Sequence, residues 1–486
     1  MNDPGAPRLA RGMWKRFLAA GIVVAALSAI ATATAGLLEL RDYASSLSHG
    51  GKRLNLGSDI TAAEAGAPQT ILLIGSDARV AERRRGIRGN SDTMILVRLD
   101  PTKRANAVLS IPRDLKVTID MPNGSAKTAK INNAYLEGGP RLTVQTIKRV
   151  LGVGVNHVVN LNFRAFKEAV NRIGCVYVDI DRRYFNADAL AYATINVEPG
   201  YQKLCGEKAL DYVRYRHADS DLVRAARQQD FLRQAKDQVG VRRIIEDRKQ
   251  FVRLFGRYAE TDIRGTDEIL QIFKLVAFSI GHPIREVHFR TTLGPSYVTS
   301  TPRQLQETVN EFLHAQETPG PRGPAAGRGA ARRRHRPSSA SLGLESDTRF
   351  GEDQAIAAAP KVHFPVLYPR LRVAGSVYVD LPRTYTIQDY DGRPHQAYRM
   401  VIDKGTVGEY YGVQGMSWTD PPILSGAQAT RGRGGRTLDL VYDGDHLRLV
   451  ALRTPQAVYW VSNTLLLSLP NRQMLAIANS LAPIGR

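Results

Sequence analysis

Short apolar runs bounded by turn residues recur along this chain, and their spacing predicts alternating strands and helices over its first two thirds. TILLIG at 70–75 is partly β-branched and stops at Gly75, the pattern of a buried strand. MILVRLD at 94–100 and AVLSI at 107–111 read as two strands joined at the turn signal Asp100-Pro101. Pro112 stops the second of these and leaves Arg113 and Asp114 on the loop beyond. A helix follows at 140–151, with Leu142, Ile147, Val150 and Leu151 as its apolar stripe. A strand at 155–161, a helix at 163–172 ended by Gly174, and a strand at 175–180 continue the alternation. Residues 207–213 and 222–239 are helical in pattern, and 242–315 reads as mostly helical with a strand near 286–292. Such alternation indicates an α/β layered domain over 69–315.

The pattern changes after residue 315. Residues 316–359 are rich in Pro, Gly, Ala, Ser and Arg, and predict a basic disordered linker. From 360 to 486, runs such as 376–381, 398–403, 437–442, 447–452 and 457–462 are separated by Gly, Asp and Pro. A closing helix at 471–481 completes a separate small β-rich or α+β domain whose role the residues do not reveal. At the other end, 39–68 is polar with Gly50-Gly51, Gly57 and Pro68, and reads as a stalk. No internal repeat is visible.

Before the stalk lies a run of 22 residues without a charge, 17–38, long enough to span a bilayer as a helix. Arg8, Arg11, Lys15 and Arg16 precede it, which sets a cytoplasmic tail at 1–16 and exports the rest. A cleaved signal peptide is the other reading, since Ala33-Thr34-Ala35 resembles a cleavage site. The chain is thus expected as a single-pass protein of the cell membrane with its folded part outside. In that compartment Cys175 and Cys205, the only two cysteines, can pair as a disulfide, two buried thiols being the alternative. Two cysteines without a histidine cluster argue against structural zinc.

A net charge of +21 on 486 residues suits anionic partners. Part of it is local: 318–336 holds six arginines and no acid. No nucleic-acid motif accompanies the charge, so phosphate, lipid head groups or acidic polymers are expected instead.

Asp77 lies two residues beyond the first strand and Asp92 two before the next. Loops at strand ends are where α/β sheets carry sites, and two carboxylates there can hold Mg²⁺. The plainer reading is an N-cap and a turn aspartate. Arg214-x-Arg216 is followed by Asp221, Arg224 and Gln228. Extended backbone would point Arg214 and Arg216 the same way, and Arg224 and Gln228 share a helix face at i, i+4. Asp221 precedes that helix and can cap it. Arginines aimed at one place repel unless an anion sits among them. For Arg224 and Arg227 a solvated helix face is the bland alternative, and for Arg113 a salt bridge to Asp114. Carboxylates for a hard cation beside arginines for phosphate oxygens are the parts of phosphoryl transfer.

Five motifs, IGSDAR (74–79), NSDTM (90–94), SIPRD (110–114), KINNAY (130–135) and YVRYRHADSDLVRAARQ (212–228), together resemble the LytR-CpsA-Psr family, in the family's order and over about 69–240. The resemblance implies a membrane-anchored phosphotransferase that moves a glycopolymer from a polyprenyl-pyrophosphate carrier to peptidoglycan through a phosphodiester. It implies a three-layer α/β/α sandwich, a hydrophobic pocket for the lipid tail, and Mg²⁺, with Mn²⁺ as a substitute, bridging the pyrophosphate. Asp77 and Asp92 match the metal-associated aspartates, and Arg79 the arginine just after the first. Arg113, Arg214 and Arg216 match pyrophosphate-binding arginines, Lys130 the lysine of the KIN motif. Asp221, Arg224 and Gln228 match the last motif. Asn90 stands where many members carry arginine, with Arg88 nearby.

On this reading a sugar hydroxyl attacks the sugar-proximal phosphorus, polyprenyl phosphate leaves, and Asp221 or Asp92 takes the proton. Val158, Leu161, Phe166, Val170, Phe231 and Leu232 are candidates for the lipid pocket, each equally at home in a plain core. Two rivals stand beside it: a polyprenyl-pyrophosphate phosphohydrolase using the same site, and a non-enzymatic binder of anionic envelope polymers. Transcription regulation does not suit an exported chain.

Overall fold

A computed structural model describes residues 53–62, 64, 66–76, 91–103, 106–187, 194–215, 221–238, 259–263, 284–294, 296–315, 340–432 and 435–485, with single positions between 268 and 282. The side chains at 92, 221 and 431 are not among those described. The predicted tail, membrane anchor, most of the stalk and the basic part of the linker lie outside these residues. No described helix is long and apolar enough to cross a membrane.

The first unit is mixed α/β. Its main sheet runs β11-β6-β1-β2-β3-β12, from β1 (Gln69–Ser76), β2 (Ser91–Leu99), β3 (Asn106–Ser110), β6 (His157–Asn162), β11 (Ala259–Thr261) and β12 (Ile284–Val287). β2 is antiparallel to both β1 and β3, β1 is parallel to β6, and β3 to β12. The carboxyl ends of β1, β3, β6 and β12 therefore meet at one edge, beside the amino end of β2. On one face Leu72, Leu96, Leu109 and Val158 pack with α1 (Asn133–Leu151) and α5 (Pro302–Leu313). α2 (Phe163–Arg172), α3 (Gly206–Arg214) and α4 (Asp221–Gln238) carry the candidate site. The hairpin β4 (Lys116–Asp120) and β5 (Ala126–Lys130) leads from Arg113 to Lys130.

Smaller strands form two separate antiparallel pairs, β7 (Val176–Ile180) with β10 (Gly200–Leu204) and β8 (Tyr184–Asn186) with β9 (Ile195–Val197). Cys175 and Cys205 are joined in a disulfide, Cα to Cα 4.5 Å, across 30 residues. It ties the approach to β7 to Cys205, the N-cap of α3. Closing a loop of that length is worth about 3–4 kcal/mol. Replacing both cysteines by serine is expected to lower Tm by that equivalent, read by scanning calorimetry against the oxidised parent, with the reduced parent expected to fall alongside the variant.

Two boundaries differ from the sequence reading. Residues 54–60, read as stalk, pack on the first unit: Leu56 is buried in its core, and Arg53 bridges to Thr261. Residues 340–359, read as linker, are folded into the second unit. α6 (Thr348–Ala358) buries Ala355 and Ala358 there, and β15 (Leu344–Ser346) pairs with β17 (Leu371–Val373). Alanine-rich helix flanked by Pro, Gly and Ser resembles linker by composition, while its burial is set by a partner sheet.

That sheet has seven antiparallel strands in the order β18-β19-β20-β24-β23-β22-β21. They are β18 (Val377–Gln388), β19 (Pro394–Asp403), β20 (Tyr410–Met416), β21 (Gln428–Arg431), β22 (Thr437–Asp443), β23 (His446–Arg453) and β24 (Val458–Ser462). α7 (Asn471–Asn479) covers one face, and β16 (Leu367–Pro369) pairs with β25 (Leu481–Pro483). β20 escapes sequence reading because Gly412 and Gly415 interrupt its apolar run. A Cβ at Gly412 would stand 2.2 Å from the Met400 carbonyl oxygen, and one at Gly415 2.2 Å from the Tyr398 ring.

The two units share a core. Tyr177 of β7 and Tyr201 of β10 are buried among Ile387, Met416, Trp418 and Trp460 of the second. The Tyr177 hydroxyl donates to the Gln388 carbonyl, and Arg399, fully enclosed, pairs with Asp179 at 3.2 Å. Trp460 Nε1 donates to the same carboxylate at 3.1 Å. Beside this, Arg233 of α4 pairs with Asp230, Glu286 and Asp443, the last at 3.2 Å from the second unit.

Candidate functional site

β1 ends at Ser76, which pairs with Ser91 while Gly75 pairs with Thr93. Asp92 is therefore the extra residue of a bulge, one of the devices by which strands re-aim a side chain. Its backbone lies beside the strand end from which Asp77 departs. Asp77, Arg79 and Arg216 lie outside the described residues, as do Arg88 and Asn90.

Gly75 is hemmed in: a Cβ there would stand 3.0 Å from that of Thr93. Thr93 Oγ1 accepts from Gln228 Nε2 at 3.0 Å, and the same amide donates to the Val213 carbonyl at 3.1 Å. Gln228 thus bridges β2 to the end of α3. The sequence reading of extended backbone at Arg214 is corrected: Arg214 is the last residue of α3, because the helix runs on through Asp211-Tyr212-Val213. Its guanidinium pairs with Asp211 at 2.6 Å and lies 5.7 Å over the Phe163 ring. Burial pushes the Asp211 carboxyl up from its ordinary range, while the Arg214 hydrogen bond pulls it back.

Arg224 and Gln228 do share a face of α4, and both are buried rather than solvated, at 5% and 7% exposure. With Arg214 they stand on a groove with a cavity volume of about 110 Å³. Thr93 and Asn162 also line it, and the rest of its walls is apolar: Leu73 and Ile74 of β1, Ile95 of β2, Leu161 of β6, Phe163 and Phe166 of α2, Leu210 and Val213 of α3, Phe231 and Leu232 of α4. Phe166 and Phe231 face each other with centroids 5.7 Å apart. Of the six lipid-pocket candidates, Leu161, Phe166, Phe231 and Leu232 line this groove. Val158 and Val170 lie in the cores on either side.

Arg113 and Lys130 meet at the other end of the β4–β5 hairpin. Both pair with Asp114 Oδ1, at 3.5 and 3.1 Å, so the salt bridge anticipated for Arg113 forms and has a second cation in it. β3 leads into this loop: the amide of Ile111 donates to the Met94 carbonyl, two residues from Asp92. Asp221 opens α4 as its first residue rather than preceding it.

Among the described residues no group of three or more His, Cys, Asp or Glu is placed to hold a metal. One observation bears on Mg²⁺ at Asp77 and Asp92. Ser91, at the bulge, is fully buried with a hydroxyl that has no hydrogen-bond partner among the described residues. A buried hydroxyl oxygen beside the backbone of Asp92 is the donor type that a hard cation such as Mg²⁺ takes.

Arg227 was missed as a functional candidate. It is 0% exposed, on α4 between Arg224 and Gln228, with its guanidinium among Tyr184, Tyr212 and Tyr215. The sequence signal was present in the tyrosines of 212–215, though which cation they enclose is a matter of packing.

Residues 41–304, more than half of the chain, match the model of the LytR_cpsA_psr family. The chain is 35% identical over 169 residues to an uncharacterized protein of Staphylococcus aureus (strain NCTC 8325 / PS 47), covering 34% of this chain and 41% of that one. It is 32% identical over 220 residues to the polyisoprenyl-teichoic acid–peptidoglycan teichoic acid transferase TagV of Bacillus subtilis (strain 168), covering 45% and 55%. The matches span about half the length of these curated relatives. Protein gbs0355 of Streptococcus agalactiae, a crystal structure, is 25% identical with a TM-score of 0.46, covering 51% of this chain and 87% of that one. That score is too low to bear on function. By the extent of the family match, the chain belongs to the LytR-CpsA-Psr family.

Proposed function

We propose that the protein is a membrane-anchored phosphotransferase that moves a glycopolymer from a polyprenyl-pyrophosphate carrier to peptidoglycan through a phosphodiester. One observation carries this reading: a largely apolar groove has two arginines and a glutamine on its wall, at the edge where the strand ends gather. A ligand suited to both chemistries has a long hydrocarbon tail and an anionic head. TagV is by name a polyisoprenyl-teichoic acid–peptidoglycan teichoic acid transferase, which supports the same class of donor and acceptor. The finer reading adds a three-layer α/β/α sandwich, an anchor at 17–38 with the folded part outside the cell membrane, and the polymer unspecified.

In this reading Arg214 and Arg224 bind the pyrophosphate and stabilise the leaving phosphate, and Arg216 and Arg79, by their motif positions, share that role. Arg113 and Lys130 hold the rest of the head group. Asp77 and Asp92 would hold Mg²⁺, or Mn²⁺ in its place, which when bound neutralises the pyrophosphate charge. Asp221 or Asp92 accepts the proton of the attacking sugar hydroxyl. The groove keeps water from the lipid-side phosphate.

The test incubates the protein from residue 43 onward with Mg²⁺, a polyprenyl-pyrophosphate oligosaccharide and a peptidoglycan fragment. Mass spectrometry is expected to find an oligosaccharide-phosphate-glycan adduct, lost with EDTA and restored by added Mg²⁺. Oligosaccharide phosphate released without adduct would instead establish the phosphohydrolase. Neither product with several donor glycans would leave the polymer-binding reading in its place.

A further inference from the structure

Helix α3 ends at the site with its last carbonyls pointing out of the helix, and such groups need partners. Two consecutive residues of α4 supply them on either side of Arg214. Gln228 Nε2 donates to the Val213 carbonyl at 3.1 Å, and Arg227 Nη2 donates to the Tyr215 carbonyl at 2.5 Å. Arg227 reaches that carbonyl from a fully buried position. Its guanidinium carbon lies 4.6 Å from the centroid of the Tyr184 ring, 5.6 Å from Tyr212 and 5.7 Å from Tyr215. Tyr184 is itself held by the Asp181 carboxylate at 2.6 Å, and Tyr215 by the Phe185 carbonyl at 3.1 Å.

A buried cation is an expensive way to fill space. Where packing alone is needed, an apolar side chain of similar volume serves as well or better. What a guanidinium adds here is a planar donor that stacks on rings and binds a carbonyl at once. We infer that Arg227 is a positioning residue: with Gln228 it clamps the backbone on both sides of Arg214 and so aims that guanidinium into the groove. The inference rests on the pyrophosphate-binding role proposed for Arg214. It concerns the geometry of the head-group end and leaves the apolar end untouched.

The experiment uses the full chain in detergent, comparing the parent with Arg227→Met and Arg227→Lys. Binding is measured by calorimetry for geranylgeranyl pyrophosphate and for geranylgeraniol, which has the tail without the head. Arg227→Met is expected to weaken pyrophosphate binding by roughly tenfold or more, the worth of one misdirected charge-assisted contact, and to change alcohol binding less than about twofold. Arg227→Lys, which keeps charge and a donor, is expected to recover part of the loss. Equal loss of both ligands would reduce Arg227 to a fold-holding residue and overturn the inference, as would no loss of either. Hydrogen exchange of peptides within 206–215 gives an arm independent of any ligand. Faster exchange there in Arg227→Met, with the rest of α4 unchanged, supports the clamp, and unchanged exchange overturns it. A parent that binds no pyrophosphate would sink the proposed function instead, and the exchange arm would still decide for or against Arg227.

Discussion

Arg214→Ala is expected to lower adduct formation by about 10²–10³-fold, the usual cost of removing one preorganised group that stabilises developing charge. Few side chains at the site are held as firmly. The guanidinium is fixed by Asp211, rests over Phe163, and belongs to a helix end whose flanking carbonyls are both tied to α4. It can therefore meet a phosphate without reorganising. Arg214→Lys should recover little, since one ammonium cannot serve both Asp211 and two phosphate oxygens. The loss must be separated from instability. Without Arg214 the buried Asp211 carboxylate keeps its desolvation cost and loses its partner, so its already raised pKa rises further. Stability from a raised carboxyl is present below the ordinary aspartate range and is lost as pH rises through the folded value. Rates for the variant are best compared at mildly acidic pH, with the melting temperature followed beside them. A loss of rate that persists where the melting temperatures converge belongs to the transfer step. One that vanishes there would assign Arg214 to structure.

The second large effect is at the contact between the two units. Arg233→Met should destabilise the folded chain by about 3–5 kcal/mol, because it leaves buried carboxylates without their cation. Arg233 holds Asp230, Glu286 and Asp443 together, each buried. Arg448 pairs with Asp230 at 4.0 Å, a longer contact that offsets only part of the loss. Burial already pushes the Glu286 carboxyl up, with Arg233 opposing. Its raised pKa means the group favours the fold below the ordinary glutamate range and ceases to as pH rises through the folded value. Removing Arg233 lifts that value again. The deficit of the variant should therefore be smallest in mild acid and grow toward neutral and alkaline pH. Urea unfolding at several pH values measures this. A deficit that is flat with pH, or under about 1 kcal/mol throughout, would mean the cluster is relieved by water or by a shift of the second unit.

The parts of this molecule that could be read in advance have local causes. The helix Phe163–Arg172 appears where its periodicity and Gly174 put it, and Asn162 caps it through the Ala165 amide. Arg224 and Gln228 meet on the groove because i, i+4 on a helix is a short-range rule. What escaped prediction has causes far away in the chain. Arg233 and Asp443 are 210 residues apart, and no spacing announces that pair. β20 is hidden by glycines that exist to let Tyr398 and Arg399 lie across it. Residues 340–358 look like spacer until the sheet that buries Ala355 and Ala358 is known. The hairpin at 116–130 alternates exposed and buried positions along Lys116–Asp120, a signal that was present and unused.

Helix α4 has two flanks. One carries Arg224, Gln228, Phe231 and Leu232 to the groove, and the other carries Asp230 and Arg233 to the second unit, where Gly408 comes against Val223. A stop codon in the arginine-rich stretch would consequently not release a tidy enzyme. It would strip one flank of the helix that arms the site, and bare Tyr177, Tyr201 and Asp179 with it. Genetic dissections of this chain that remove its last third should be expected to score as losses of the first.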